Sequence, residues 1–165
     1  MTNQTPNREQ LLEALNRTVA DAAAYLCCVD ETLSDGHQTA HGVLAQMVYW
    51  HEQYLSIAKA MCEGRSPELR QGTYESINAV ARQKYAAEPQ PFLAHKLSSV
   101  QREFDECLRA IPDWSVNFPV KHDSGFCTLG ERIRLLEEHI RNRVTFLKRA
   151  EAAPKRLKQA VVSEL

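Results

Sequence analysis

Residues 39–52 read TAHGVLAQMVYWHE, and the period of this stretch decides the fold. Its apolar side chains recur at steps of three and four rather than two, the spacing of an amphipathic helix and not of a strand. Thr39 carries the side-chain oxygen that caps such a helix, and Gly64 and Pro67 place its end near Cys62. One apolar stripe holds Leu44, Val48, Leu55, Ala58 and Cys62, and an adjoining one holds Val43, Met47, Trp50, Tyr54, Ile57 and Met61. Two stripes side by side predict a helix that is mostly buried.

The same spacing extends outward in both directions. Leu12, Leu15, Val19, Ala22, Leu26, Val29 and Leu33 predict a helix over about residues 8–33, closed by Ser34-Asp35-Gly36. A shorter helix is predicted in TYESINAVARQKYA (73–86), which brings Tyr74, Ile77, Ala81 and Tyr85 to one side. Leu93, Leu97, Val100, Phe104, Cys107 and Ile111 predict another long helix, ended by Pro112. Residues 112–127, PDWSVNFPVKHDSGFC, have no helical period and read as a long ordered loop with Trp114, Phe118 and Phe126 as anchors. Thr128 and Glu131 form the capping box T-x-x-E of a last helix whose buried stripe is Leu129, Ile133, Leu136, Ile140, Val144 and Leu147, with Pro154 at its end. The predicted fold is all-α: a four-helix bundle over residues 1–153 with an extra short helix across one end, a long loop before the last helix, and a C-terminal tail at 154–165.

Composition narrows the functions open to such a bundle. With 20 Lys and Arg against 21 Asp and Glu, a net charge of −1 provides no one-signed field for nucleic acid. No apolar run reaches the roughly 20 residues of a membrane span, and the opening MTNQTPNREQ lacks a leader's apolar core, so a cytoplasmic location is expected. Five cysteines without a C-x-x-C pair are expected to stay reduced.

Bundles build sites from polar side chains that point inward from facing helices. Gln46 lies at the edge of one apolar stripe and His51 on the other, between Val48 and Leu55. On the last helix His139 follows Leu136 by three, and Arg143 sits one turn further, so the two project side by side. Together with Trp50, Tyr54, Tyr74 and Asn78 they are expected to line a pocket at one end of the bundle, lidded by the loop around Trp114. Arg143 suits a carboxylate or polarised carbonyl, and His51 or His139 suits proton transfer near neutral pH. Against this stands the plainer expectation that His51 and Gln46 only satisfy each other or the backbone, as most buried polar groups do. His37, His41, His95 and His122 are expected in solvent.

The helix TAHGVLAQMVYWHE and the last helix, TLGERIRLLEEHIRNR, resemble the DinB/YfiT-like bundle superfamily over about residues 8–150. That resemblance implies a divalent zinc or nickel ion held by positions occupied here by Gln46, His139 and Arg143. Only His139 is a ligand for such an ion. A guanidinium has no lone pair to donate and an amide is a poor partner for a borderline-soft metal, so no metal cofactor is expected; an ion held in spite of this would use His139 and His51, with Cys127 and His122. YWHEQYL, GRSPEL and GTYESINAVARQKY are similar to the metal-free, colibactin self-protection branch of the superfamily, which implies action on a small reactive metabolite; a catalytic tyrosine of that branch corresponds to Gln46 here.

Three readings follow. The first is a metal-independent protein that binds, hydrolyses or otherwise detoxifies a small reactive or acidic metabolite. The second is a metal- and thiol-dependent transferase, as the wider superfamily implies. The third is a non-catalytic bundle whose exposed helix faces serve homodimerisation.

Overall fold

Asn7 opens the first helix by accepting from the backbone of Gln10, whose side chain answers by accepting from the backbone of Asn7. This helix begins the computed structural model of the chain, which describes residues 6–163, with side chains described as far as residue 153. Five helices follow in order: α1 (Arg8–Cys28), α2 (Ala40–Cys62), α3 (Tyr74–Lys84), α4 (Gln90–Ala110) and α5 (Leu129–Ser163). The described residues contain no strand, only isolated bridges at Ser34–Thr39 and Asn117–Thr128.

The caps come from the residues the sequence offers for them. Thr39 accepts from Gly42 at 3.1 Å, Thr73 from Ser76 at 3.1 Å and Thr128 from Glu131 at 3.2 Å. Each supplies one of the acceptors that the first turn of a helix cannot find within itself. Two predicted boundaries move. The first helix ends at Cys28, not near residue 33, because Asp30 takes both the backbone and the hydroxyl of Thr32 in a local turn that competes with the helical ladder. Val29 and Leu33 still pack on the core from the loop, which is why the period ran on through them. Pro154 does not end the last helix, which continues to Ser163: a proline removes one donor from the ladder without forbidding helical dihedrals at its neighbours. The tail at 154–165 is thus a continuation of α5 as far as Ser163, and its side chains lie outside the described residues.

Packing sets where a cavity can form. α4 lies against both α1 and α2, and α1 also lies against α5, whereas α2 and α5 barely touch. The core is one cluster led by Leu12, Leu15, Leu26, Leu44, Leu97, Phe104, Phe118 and Ile133. α3 lies on α2 at one end. Gln90 of α4 donates to the carbonyls of Leu26 and Val29 at 2.7 and 2.8 Å, satisfying the last turn of α1 from a neighbouring helix.

The long loop is ordered by two of its three aromatic residues. Phe118 is wholly buried against Tyr54 and Phe104, and Trp114 is buried with its indole N–H donating to the Leu108 carbonyl at 3.2 Å. Phe126 is 75% exposed and anchors nothing, its neighbour Cys127 facing the core in its place. Cys62, expected in the α2 stripe, is also exposed, because α2 ends there and its thiol turns to the Cys107 carbonyl.

These placements predict that Phe118→Ala lowers unfolding free energy by about 3–5 kcal/mol in urea titrations, while Phe126→Ala changes it by less than about 0.5 kcal/mol. Equal effects at the two positions would contradict the packing described.

Candidate functional site

The gap between α2 and α5 encloses a cavity of about 350 Å³. Val43, Gln46, Met47, Trp50, His51 and Tyr54 form its α2 wall, and Arg132, Leu135, Leu136, His139, Ile140 and Arg143 form the facing α5 wall. Gln38, Tyr74, Asn78 and Val120 close the remaining sides. Gln46, Trp50, His51, Tyr54, Tyr74, Asn78, His139 and Arg143 therefore share one space.

Trp114 does not. It packs between the end of α4 and the Arg8 guanidinium, which lies 4.7 Å from its ring centre, so it is a structural anchor and no lid. From the same loop Val120 reaches the cavity instead. His41, expected in solvent, is half-buried with its Nε2 2.7 Å from the Glu88 carbonyl, a contact that ties α2 to the turn before α4.

The aromatic wall is held in place by its neighbours. Trp50 donates its indole N–H to the Asn78 side chain at 2.7 Å, fixing α2 to α3, and its ring lies 6.1 Å from Tyr54 and 5.8 Å from Tyr74. Tyr54 continues this series inward to Phe104 and Phe118. The Trp50, Tyr54 and Tyr74 rings form an apolar part of the cavity lining.

His51 is 1% exposed, and its Nε2 lies 2.8 Å from Gln101 Oε1. The Gln101 amide donates in turn to Asn16, and Asn16 donates to Asp105 at 3.0 Å. A chain of amides, crossing to Asn16 of α1 and back, thus links a buried imidazole to a carboxylate one turn further along α4, with His51 donating from Nε2. Burial, opposed by the bond to Gln101 and the nearby Met47 backbone, lowers the His51 pKa to about 4, so the ring is neutral at pH 7. His139 is exposed along the cavity wall, and desolvation followed by the charge of Arg143 lowers its pKa as well.

Arg143 faces Asp35, whose carboxylate is 3% exposed and lies 3.5 Å from the guanidinium. Burial pushes the Asp35 pKa up, but the backbone donors of Gln38 and His37, then Arg143 and His37, more than reverse it, leaving the pKa below the usual carboxylate range. Gly36, at φ +95°, makes the tight turn that aims those backbone donors at Asp35. Beside this pair the Gln46 amide donates to the Gln38 side chain. One buried nitrogen of Arg143, Nη2, has no hydrogen-bond partner.

These partners decide the question of a metal. The three positions implied by resemblance hold an amide already bonded to Gln38, a guanidinium paired with a carboxylate, and one imidazole, which do not fit a zinc or nickel ion. Among the described residues no group of three or more His, Cys, Asp or Glu is arranged to hold one.

Several site residues escaped the sequence reading. Arg132 precedes His139 by seven and Arg143 by eleven, the same helix face, so its place was legible from spacing. Gln101 and Asn16 also stand in phase with apolar neighbours, at four after Leu97 and four after Leu12. Asp35 and Gln38 gave no signal, because a loop folds them onto α5.

No protein-family model matches the chain, and no curated protein matches it either. Among solved structures it is similar to an uncharacterised protein from Escherichia coli UTI89, with a TM-score of 0.69, 14% identity, and coverage of 89% of this chain and 94% of that one. At that identity the likeness establishes a shared all-helical bundle. No helix among the described residues is long and apolar enough to cross a membrane.

Two outcomes follow. Because His51 binds a proton more weakly folded than unfolded, stability is complete above about pH 6.5 and falls as pH drops toward 4, with up to about one proton taken up on unfolding; His51→Leu removes that share of the slope, and an unchanged slope in acid-range urea titrations would contradict a neutral His51. Arg143→Gln strands the buried Asp35 carboxylate and costs roughly 1–3 kcal/mol, with most of the loss absent in an Asp35→Asn background.

Proposed function

We propose that the chain is a metal-independent protein that takes a small reactive metabolite into the cavity between α2 and α5 and removes it by hydrolysis or by sequestration. The observation that carries this reading is the joining, in one cavity of about 350 Å³, of aromatic rings with neutral imidazole, amide and guanidinium groups. That is the make-up of a small-molecule site: mostly apolar walls with a few polar groups that fix orientation.

In this reading Trp50, Tyr54 and Met47 hold the apolar body of the ligand, and Gln46 and Asn78 orient its polar groups. His139, neutral and reachable from the cavity, takes a proton from water as the water oxygen bonds to an electrophilic carbon of the ligand. The heteroatom released from that carbon is protonated in return, which restores the charge balance. His51, locked by Gln101 and buried, positions the wall rather than the water. The resemblance of the α2 and α5 motifs supports placing the chain with DinB/YfiT-like bundles, on the metal-free, self-protection side. The bonded state of Gln46 and Arg143 supports that side against the metal- and thiol-dependent transferases.

Chelator-treated protein is expected to convert an aromatic epoxide such as styrene oxide to its diol above background, with a loss of about 100-fold in His139→Ala. Stoichiometric protection without diol would select sequestration. Neither binding nor turnover, together with saturable thermal stabilisation by zinc, would overturn the reading in favour of the metal-dependent one.

A further inference from the structure

The two guanidinium groups of the cavity differ in what surrounds them. Arg143 is balanced by the buried carboxylate of Asp35. Arg132, at the opposite end of the α5 wall, is in no ion pair among the described residues; its Nε donates to the Phe118 carbonyl at 3.4 Å, leaving the rest of its fork without a protein acceptor. No aspartate or glutamate lines the cavity. Residues 132 and 143 are eleven apart, three turns of one helix and about 16 Å along its axis, so they mark the two ends of one wall.

Further groups gather at the Arg132 end. The Tyr54 hydroxyl makes no hydrogen bond within the described residues, although its ring is packed on both sides by Trp50 and Phe104. Lys121 sits 5.1 Å from the ring of Tyr74, at the exposed mouth, and adds a second positive charge there. Tyr54 and Arg132 line the same cavity from facing helices, and burial, the largest influence, raises the Tyr54 pKa against the opposing charge of Arg132, so the phenol stays protonated and can donate.

We infer that the cavity takes ligands polarised in one sense, with an anionic group, carboxylate or sulfonate, bound by the Arg132 guanidinium and the Tyr54 hydroxyl. A flat apolar body then lies along Trp50, Met47 and Leu136, and an uncharged polar end meets Gln46, Gln38 and His139. An anion at Arg132 meets an uncompensated charge and two kinds of donor, whereas an anion at Arg143 competes with Asp35 for a charge already neutralised. Arg132 is thus a specificity-determining residue for the substrate, while Arg143 supports the closed end. This inference rests on the small-molecule reading above and names its substrate class.

The test is calorimetric titration with a matched pair, 2-naphthoate and 2-naphthamide, which share a skeleton and differ in charge. The wild type is expected to bind one naphthoate per chain at least about tenfold more tightly than the amide, the size of one charge-assisted hydrogen bond. Arg132→Gln should reduce naphthoate to the level of the amide and leave the amide unchanged, Arg132→Lys should restore part of the difference, and Tyr54→Phe should remove a smaller part of it. Thermal melts of Arg132→Gln matching the wild type confirm that the variant is folded. Equal binding of the two ligands, or loss on Arg143→Gln but not on Arg132→Gln, overturns the anionic assignment while the cavity still binds small molecules. Failure of both ligands to bind overturns the assignment and the small-molecule reading together.

Discussion

The cavity of this bundle depends on α2 and α5 not closing on each other. α4 and α1 carry the packing of the fold, and the seam left between the other pair is wedged by large rings: Trp50 pinned to Asn78 at 2.7 Å, and Tyr54 seated on Phe104 and Phe118. Each end of the seam is then tied to a loop. Asp35 brings the α1–α2 connection onto Arg143, and the Phe118 carbonyl brings the α4–α5 connection onto Arg132. Filling the seam with aliphatic side chains would gain apolar burial, on the order of 25 cal/mol for each Å². Keeping polar groups along the seam is the opposite choice.

Electrostatics gives the seam a direction. The Asp35–Arg143 end is internally neutral, with its carboxylate held by backbone donors as well as by the guanidinium. At the Arg132 end only Nε has a protein acceptor, the Phe118 carbonyl, and no carboxylate balances the charge among the described residues. His51 and His139 stay neutral between the two, the first through burial and the second through desolvation and Arg143. The Asp105–Asn16–Gln101 chain fixes how His51 sits in the wall.

The helices were legible because periodicity and caps are local signals. Thr39 and Thr128 act where the sequence placed them, and the α2 stripes mark both its core side and its cavity side. Most wall residues followed from the same rule, since a polar side chain in phase with Leu136 or Val48 has to face inward. Contacts made by loops were not legible. Nothing local tells Asp35 that it will meet Arg143 or sends Val120 rather than Trp114 to the cavity, because those placements depend on where a connection lands after the helices have packed. Helix ends failed where a local turn at Asp30 outweighed a continuing apolar period, and where Pro154 was tolerated inside α5. Arg132 was legible from spacing, since seven and eleven residues put it on the face of His139 and Arg143.

The most direct test of a ligand site in the α2–α5 seam uses the two tryptophans, one in the cavity wall and one buried as a loop anchor. With 5-fluorotryptophan incorporated, the fluorine NMR signal of Trp50 should shift saturably as 2-naphthoate is added, while that of Trp114 stays in place. Movement of Trp114 with Trp50 unmoved, or no movement of either at saturating ligand, would contradict a site between α2 and α5.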